Sequence, residues 1–320
     1  MTHLSIIHNI CLSVALTTNW IPTSEDPYTL LRPAIDERFD FTGSMVVQME
    51  GWVEEPVMLQ MQVLKNKGAK VVWIHPSTVQ GQTYVDDGKT VRQYMPDQKY
   101  VRVRPSFHTF WPSHATQLAL VKKNYEVKLV GKSVRLGRGV TVLSATAKSA
   151  ELGVRKLTID RKLPLVVEDV HSVGSKSIYR LRTYDVQELK DSQVSLRLDL
   201  PSDVKTVNAW GPEKISDIKY AAGACGFTPQ IPSKLPFGFE IFAKQLVGME
   251  NDPFFVARVS DGLLVAHIYE WKYRAGAAQT KMDIPAMLVD KKKDIAYSIL
   301  GDLPPDASMR LLKAFTASQE

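Results

Sequence analysis

Residues 259–271 read VSDGLLVAHIYEW and carry the clearest structural pattern in the chain. Successive side chains of a β-strand point to opposite faces of its sheet. One face therefore carries Leu263, Val265, His267, Tyr269 and Trp271, and the other carries Leu264, Ala266, Ile268 and Glu270. Because both faces are mostly apolar, we expect this strand to lie inside a sheet with cover on each side. The SDG that precedes it predicts a hairpin turn.

The sequence on either side of this stretch predicts a small second domain. Alternating patterns indicate further strands at 239–246, 254–259, 282–289 and 294–300. After "GDLPPDAS", Ala307, Leu311 and Phe315 recur at helical spacing and predict a closing helix. We expect this helix to cover one apolar face of the central strand.

A longer meander of strands precedes this domain. Asp26 and Pro27 mark a first helix, and from Phe41 the apolar residues alternate through Arg104. A helix at 113–124 interrupts the pattern, and strands resume from 125 to 186. The short turns between strands predict antiparallel pairing. We therefore expect an α+β protein whose first domain is a curved antiparallel half-barrel sheet with helices on its concave side.

Length and composition indicate a folded globular chain with two domains. The chain has 320 residues, of which 44% are hydrophobic and 23% are charged. The predicted divisions are a possible signal or disordered terminus at 1–24, a half-barrel domain at 25–200, a linker at 201–211 and a small domain at 212–320. The first stretch lacks basic residues before its apolar core, so it is a weak secretory signal as written.

The net charge of +6 is concentrated in one segment. Between Lys122 and Lys162 there are eleven lysines and arginines against three acids. We name five of them as a candidate basic face: Lys128, Lys132, Arg135, Arg138 and Lys156. This face indicates either an acidic partner or simply solvated outer strand surfaces. Nucleic acid is disfavoured as a partner because the lysines and arginines are not interleaved with exposed aromatic residues and no recognised binding module surrounds them.

No arrangement of residues in the sequence indicates catalysis. The "GKS" at 131–133 lacks a phosphate-loop glycine five residues earlier, where Glu126 stands. The seven histidines are scattered, and neither Cys11 nor Cys225 belongs to a metal or redox motif. We therefore predict no catalytic residues, no metal and no cofactor, and a protein that is not an enzyme.

The first domain does carry adaptable apolar residues. Methionines recur in its first two strands, and methionine is a flexible residue that fits variable shapes. The candidate ligand cavity comprises Met45, Val47, Met49, Leu59, Met61, Trp73, Phe110 and Trp111. One interpretation is a cavity under a helical lid that holds an acyl chain or apolar peptide. The other is an ordinary core that fills itself.

Five motifs, in their order along the chain, resemble the RseB/MucB family. They are "LLRPAIDERFDFTGSMVVQ", with Phe41, Gly43 and Met45 at the start of the first strand; "NYEVKLVGKSVRLGRGVTVLSATAK"; "LTIDRKLPLVVEDVHSVG"; "LPFGF"; and "ILGDLPPDASMRLLKAF". With the 259–271 stretch they are spread along the chain, and the resemblance extends over nearly everything from about Pro27 to Phe315.

The resemblance implies a first domain with the lipoprotein-carrier fold and a small C-terminal domain. It also implies a periplasmic regulator of a sigma factor in the envelope stress response. Such a protein binds the periplasmic segment of an anti-sigma factor and responds to a lipid or lipoprotein ligand. A periplasmic lipid or lipoprotein carrier is the alternative. Membrane contact is expected to be peripheral or absent, and homo-oligomerisation stays open.

Overall fold

The fold was analysed in a computed structural model of the chain. The structure describes residues 26–35, 41–51, 55–106, 112–163, 165–208, 213–249, 252–273, 286–291 and 293–317. Within these ranges the chain forms two compact units. The predicted terminus at 1–24 and the cavity residues Phe110 and Trp111 lie outside them.

The first unit, here the twelve-stranded unit, comprises the described residues up to 106 and those from 125 to 208. Its helices are α1 (Pro27–Leu30) and α2 (Arg32–Ile35). Its strands are β1 (Gly43–Glu50), β2 (Val57–Leu64), β3 (Gly68–His75), β4 (Thr83–Asp86), β5 (Thr90–Met95), β6 (Tyr100–Pro105), β7 (Tyr125–Arg135), β8 (Arg138–Ala147), β9 (Val154–Asp160), β10 (Val166–Val173), β11 (Lys176–Glu188) and β12 (Lys205–Asn208).

These strands form one open sheet in the order β12-β6-β5-β4-β3-β2-β1-β11-β10-β9-β8-β7. All neighbours pair antiparallel except β12, which pairs parallel with β6. β12 lies inside the segment that we predicted as a linker, 201–211. Asp26 caps α1 through its side chain, and the Tyr28 hydroxyl of α1 donates to the Tyr125 carbonyl of β7.

The second unit, here the six-stranded unit, comprises residues 112–124 and the described residues from 213 onward. Its elements are α3 (His114–Asn124), β13 (Glu213–Lys214), α4 (Ile218–Cys225), β14 (Glu240–Met249), β15 (Asp252–Ser260), β16 (Val265–Lys272), β17 (Ala286–Asp290), β18 (Ile295–Gly301) and α5 (Pro305–Thr316). The sheet order is β13-β14-β15-β16-β18-β17, and neighbouring strands pair antiparallel throughout the described residues.

The predicted α+β class, with an open curved sheet followed by a smaller sheet unit, is confirmed. The central strand β16 is fully buried on one face, where Ile268 is 0% exposed, and is mostly half-buried on the other, where only His267 (1%) is buried. The closing helix α5 contacts β18, which pairs with β16, and the edge strand β17 beyond it, and α4 contacts β15. Side chains of α5 at Leu311, Leu312 and Phe315 are fully buried.

The SDG hairpin turn is also confirmed. The Asp261 carboxylate accepts hydrogen bonds from the backbone N–H groups of Leu263 and Leu264, at 3.0 and 2.8 Å. The Ser260 hydroxyl accepts from the Gly262 N–H at 3.0 Å. Gly262 adopts φ +108°, a conformation that residues with a Cβ rarely reach. Side chains of the turn thus satisfy its backbone within a buried environment.

The helix at 113–124 belongs to the six-stranded unit and not to the half-barrel domain at 25–200, where the sequence placed it. It is present as α3, but its described contacts go to the six-stranded unit. The Asn124 side-chain amide donates to the carbonyls of Gly238 and Asp261, at 3.1 and 2.9 Å, and Lys123 pairs with Glu240 at 2.7 Å. A Cβ on Gly262 would lie 2.5 Å from the Val121 backbone nitrogen. The reason is steric: a glycine at the turn lets the helix backbone approach it closely.

Candidate functional site

The candidate cavity residues of β1, β2 and β3 lie on one face of the twelve-stranded sheet, here called the inner face. Met45 stands opposite Met61, and Val47 opposite Leu59, which in turn stands opposite Trp73. Six predicted residues share this face: Met45, Val47, Met49, Leu59, Met61 and Trp73. Period-2 alternation brings them together because each occupies the same phase of its strand. The structure therefore collects them into one apolar surface.

This surface is closed to solvent. Relative exposure of the six side chains is 0–3%. Side chains so completely covered pack as a core does, so a ligand reaches this surface only if the covering groups move. The ligand cavity accordingly stays a prediction, and the structure supplies its floor rather than an open pocket.

A polar border follows the apolar surface along the inner face. Val71 on β3 stands opposite Tyr84 on β4, which stands opposite Gln93 on β5, so the three residues form one row across the sheet. Gln93 is 0% exposed, and its amide nitrogen lies 3.0 Å from the Met95 sulfur and 3.5 Å from the Gln82 side-chain oxygen. The Arg104 guanidinium lies 5.9 Å from the centre of the Tyr84 ring. Apolar and polar surfaces therefore meet between β3 and β4, where the Trp73 backbone N–H also donates to the Gln82 carbonyl at 3.0 Å.

Two polar atoms in this border have no hydrogen-bond partner among the described residues. They are the indole nitrogen of Trp73, a donor, and the side-chain oxygen of Gln93, an acceptor. Buried polar atoms are normally paired, and leaving one unpaired costs about 1–3 kcal/mol. An unpaired donor and acceptor beside an apolar surface are what the polar head of an apolar ligand would require.

A buried ion pair lies farther along the inner face. Asp169 on β10 is opposite Leu181, which is opposite Met49, so its side chain shares the face of the apolar surface. The nitrogen Nε of Arg155 lies 2.9 Å from each Asp169 carboxylate oxygen, and Nη2 donates at 2.5 Å. His171 beside them has its Nε2 at 2.6 Å from the Leu152 carbonyl. Two opposite charges compensate each other here, as buried charges require.

The candidate basic face is divided by the pleat of the strands. Lys128 and Lys156 flank Ser144 on the outer face, and both are exposed. Arg135 stands opposite Arg138 on the same side, whereas Lys132 stands opposite Thr141 on the other. Arg138 is only 20% exposed and pairs with Asp160 and Glu188. Arg138 therefore serves the structure of the sheet, and the remaining bases point to solvent.

The polar residues of the inner face were missed from sequence. A usable signal exists in β5, where Gln93 occupies the same phase as the buried Val91 and Met95. A polar residue in the buried phase of an alternating strand indicates a buried polar group. The Arg155 and Asp169 pair carries the same signal in β9 and β10, although which partner each finds depends on register.

The six-stranded unit contains a buried carboxyl group. Glu270 on β16 is 0% exposed and its Oε2 accepts from the Gln230 N–H at 2.9 Å. Burial raises the pKa of Glu270 to about 8, opposed by the Gln230 hydrogen bond and by Lys293. Burial, followed by the charge of Glu270, raises the pKa of Cys225 to about 11 and also raises the pKa of Tyr297. This cluster is a core feature whose stability depends on pH.

The described residues contain neither a metal-binding cluster nor a membrane-spanning helix. No group of three or more histidine, cysteine or acidic side chains there is arranged to hold a metal ion. In the same ranges, no helix combines the length and apolar character that crossing a bilayer demands.

Comparison with known proteins supports the fold and not a closer relationship. No protein-family model and no curated protein matches the sequence. Among solved structures, MucB matches with a TM-score of 0.60 and 16% identity, covering 91% of this chain and 98% of that chain. The Pseudomonas aeruginosa MucA/MucB complex matches with a TM-score of 0.61 and 14% identity, covering 90% of this chain and 97% of the other. MucB in complex with MucA(peri) gives 0.58 and 15%, with 90% and 97% coverage.

Proposed function

We propose that this chain, which has the fold of MucB along nearly its whole length, is a non-catalytic regulator that acts outside the cytoplasm. Its partner would be the periplasmic segment of an anti-sigma factor. The observation that carries this proposal is the extent of the structural match, 91% of this chain and 98% of MucB. The structures of MucB with MucA and with MucA(peri) support the choice of partner.

The six-stranded unit favours a regulator over a lipid carrier. A lipid carrier needs an apolar site, and the twelve-stranded unit by itself suffices to provide one. The carrier function would therefore give the six-stranded unit no role. Binding of a protein segment uses a larger surface, since stable interfaces bury about 1,200–2,000 Å². A second folded unit supplies such a surface.

The inner face suggests what the regulator senses. Its apolar surface fits an acyl chain, and the unpaired Trp73 donor and Gln93 acceptor fit the polar head of the same molecule. Because this face is closed to solvent, ligand entry would have to move the groups that cover it. A ligand that binds the open state more tightly than the closed state would shift the chain toward the open state. It would thereby change the affinity of the chain for its protein partner.

Partner binding can be tested directly. We expect the purified chain to form a stable complex with the periplasmic segment of an anti-sigma factor from its own organism, measured by size-exclusion chromatography and calorimetry. A scrambled segment of the same composition is the control. If the native segment elutes separately at micromolar concentration, the regulator proposal is wrong, and uptake of lipoprotein from membranes becomes the experiment for the carrier alternative.

Ligand binding can be tested with a fluorescent fatty-acyl probe. We expect Trp73→Phe to weaken probe binding roughly 2- to 10-fold, because it removes one hydrogen bond worth about 0.5–1.5 kcal/mol while largely keeping the ring. Trp271→Phe, at a half-buried position on β16, is the matched control. Equal affinities for the two variants, or the absence of any acyl adduct in native mass spectrometry, would contradict a ligand site at Trp73.

A further inference from the structure

The hairpin of β7 and β8 continues past the last pair of β8 with β9. β8 pairs with β9 only as far as Val140, opposite Asp160, whereas β7 and β8 continue to the pair of Arg135 and Arg138. At about 3.3 Å per residue, the turn lies roughly 7–10 Å past the last pair with β9. Residues 131–139 are here called the hairpin tip.

The hairpin carries exposed apolar side chains at and just before its tip. Val134 is 62% exposed, Leu136 is 46% exposed and Val130, just before the tip, is 59% exposed. Scattered exposed apolar residues are ordinary, but Val134 and Leu136 both lie on the part of the hairpin that continues past β9, with Val130 farther back along β7. Folding of the hairpin gains little from them, since none is buried by it.

Leu136 is also unfavourable for the turn itself. Leu136 and Gly137 form a two-residue turn with φ of +52° and +69°. Turns of this kind favour asparagine, aspartate or glycine at the first position, and a left-handed residue with a Cβ costs about 1–2 kcal/mol. Leu136 therefore neither suits this turn nor gains burial from it.

Basic side chains stand behind these apolar residues. Lys132 and Arg135 precede the turn, and Arg161 and Lys162 follow the end of β9; all four are exposed. The Arg161 backbone N–H donates to the Gly139 carbonyl at 2.9 Å, which holds this second pair of bases beside the tip. The neighbouring acid Asp160 is engaged by Arg138.

We propose that the hairpin tip is a docking surface for an anionic membrane. The composition of the tip fits a lipid interface: the exposed apolar side chains Val134 and Leu136 stand among cations, whose long side chains can reach lipid phosphates. Lysines on the edge strand β7 also prevent strand pairing, which accounts for the bases but not for Val134 and Leu136. A hairpin tip suits a deformable lipid surface, whereas docking of an acidic peptide would call for a groove or a flat strand edge.

Vesicle flotation tests this docking surface. We expect the full chain to float with vesicles of phosphatidylcholine and phosphatidylglycerol, and to float far less with phosphatidylcholine alone or at high salt, because screening weakens the attraction of exposed charges. The variant Val134→Thr/Leu136→Asn should weaken binding about tenfold or more, since burial of each apolar side chain contributes about 1.5–3 kcal/mol. Asparagine suits the left-handed turn, so this variant should keep or raise the thermal midpoint.

Leu200→Asn/Val207→Thr is the matched control, because Leu200 and Val207 are 41% and 47% exposed and β12 lies at the opposite edge of the sheet from β7. Equal flotation of wild type and the tip variant, or no flotation at all, would overturn the proposal. The proposal would also be overturned if, in the absence of vesicles, the wild type bound an acidic peptide and Lys132→Gln/Arg135→Gln did not, since the tip would then be a peptide site. The tip variant should still bind the anti-sigma segment. A negative flotation result would therefore overturn membrane docking without affecting the regulator proposal.

Discussion

Gly262→Ala should destabilise the six-stranded unit by roughly 2–5 kcal/mol, the combined effect of backbone strain and overpacking. The residue has φ +108°, and a Cβ there would lie 2.5 Å from the Val121 backbone nitrogen and 2.9 Å from the Gln117 carbonyl oxygen. These are backbone atoms of α3, so no side-chain rotation removes the clash. Relief requires the helix to move away from the turn, which would break the Asn124 hydrogen bonds to Gly238 and Asp261.

The matched control for this prediction is Gly226→Ala. Gly226 also has a positive φ, +71°, but a Cβ there would meet nothing within 4 Å. It should therefore cost only the left-handed strain, about 1–2 kcal/mol. Urea unfolding gives the free energies, and hydrogen exchange of the α3 amides shows whether the helix detaches. Equal losses in the two variants would show that the close approach of α3 to the turn is not tight in solution.

Glu270→Gln should stabilise the protein at pH 8 and above, and should remove part of its pH dependence. Burial raises the pKa of Glu270 to about 8, so the folded state holds a proton that the unfolded state releases near its ordinary pKa of 4.5. Stability from this group is therefore complete below about pH 4.5, is lost as pH rises toward about 8, and stays lost above it. A shift of this size corresponds to a few kcal/mol.

Glutamine keeps the acceptor for the Gln230 N–H and cannot ionise. The wild type should therefore lose stability between pH 5 and pH 9 relative to the variant, in urea titrations at each pH. Glu240→Gln is the control, because that side chain is 53% exposed and its pairing with Lys123 contributes about 1 kcal/mol or less. A constant difference between wild type and Glu270→Gln at all pH values would mean that Glu270 does not carry the raised pKa.

Both predictions concern groups whose importance the sequence showed only in part. The SDG turn was predicted from its composition, because serine, aspartate and glycine satisfy a tight turn locally. The close packing of α3 against Gly262 was not predictable, since this contact joins segments far apart in sequence. Glu270 was placed correctly on the strand, but its burial depends on what packs against both faces of β16.

The sequence by itself determined the strands, their turns and the phase of each strand. Alternation set the inner face of Met45, Leu59 and Trp73, because a strand's side-chain period is fixed by the backbone. It also supported the resemblance that the MucB fold confirmed. These features are local, so neighbouring residues suffice to specify them.

Tertiary structure alone decided which distant groups meet. It placed α3 with the six-stranded unit, paired Arg155 with Asp169 and Arg138 with Asp160, and left Val134 and Leu136 exposed on the hairpin of β7 and β8. Each outcome depends on strand register and on close approach between segments separated by many residues. Packing and charge compensation select among such arrangements only when the whole chain is folded, and this is the physical reason why the sequence pattern left them open.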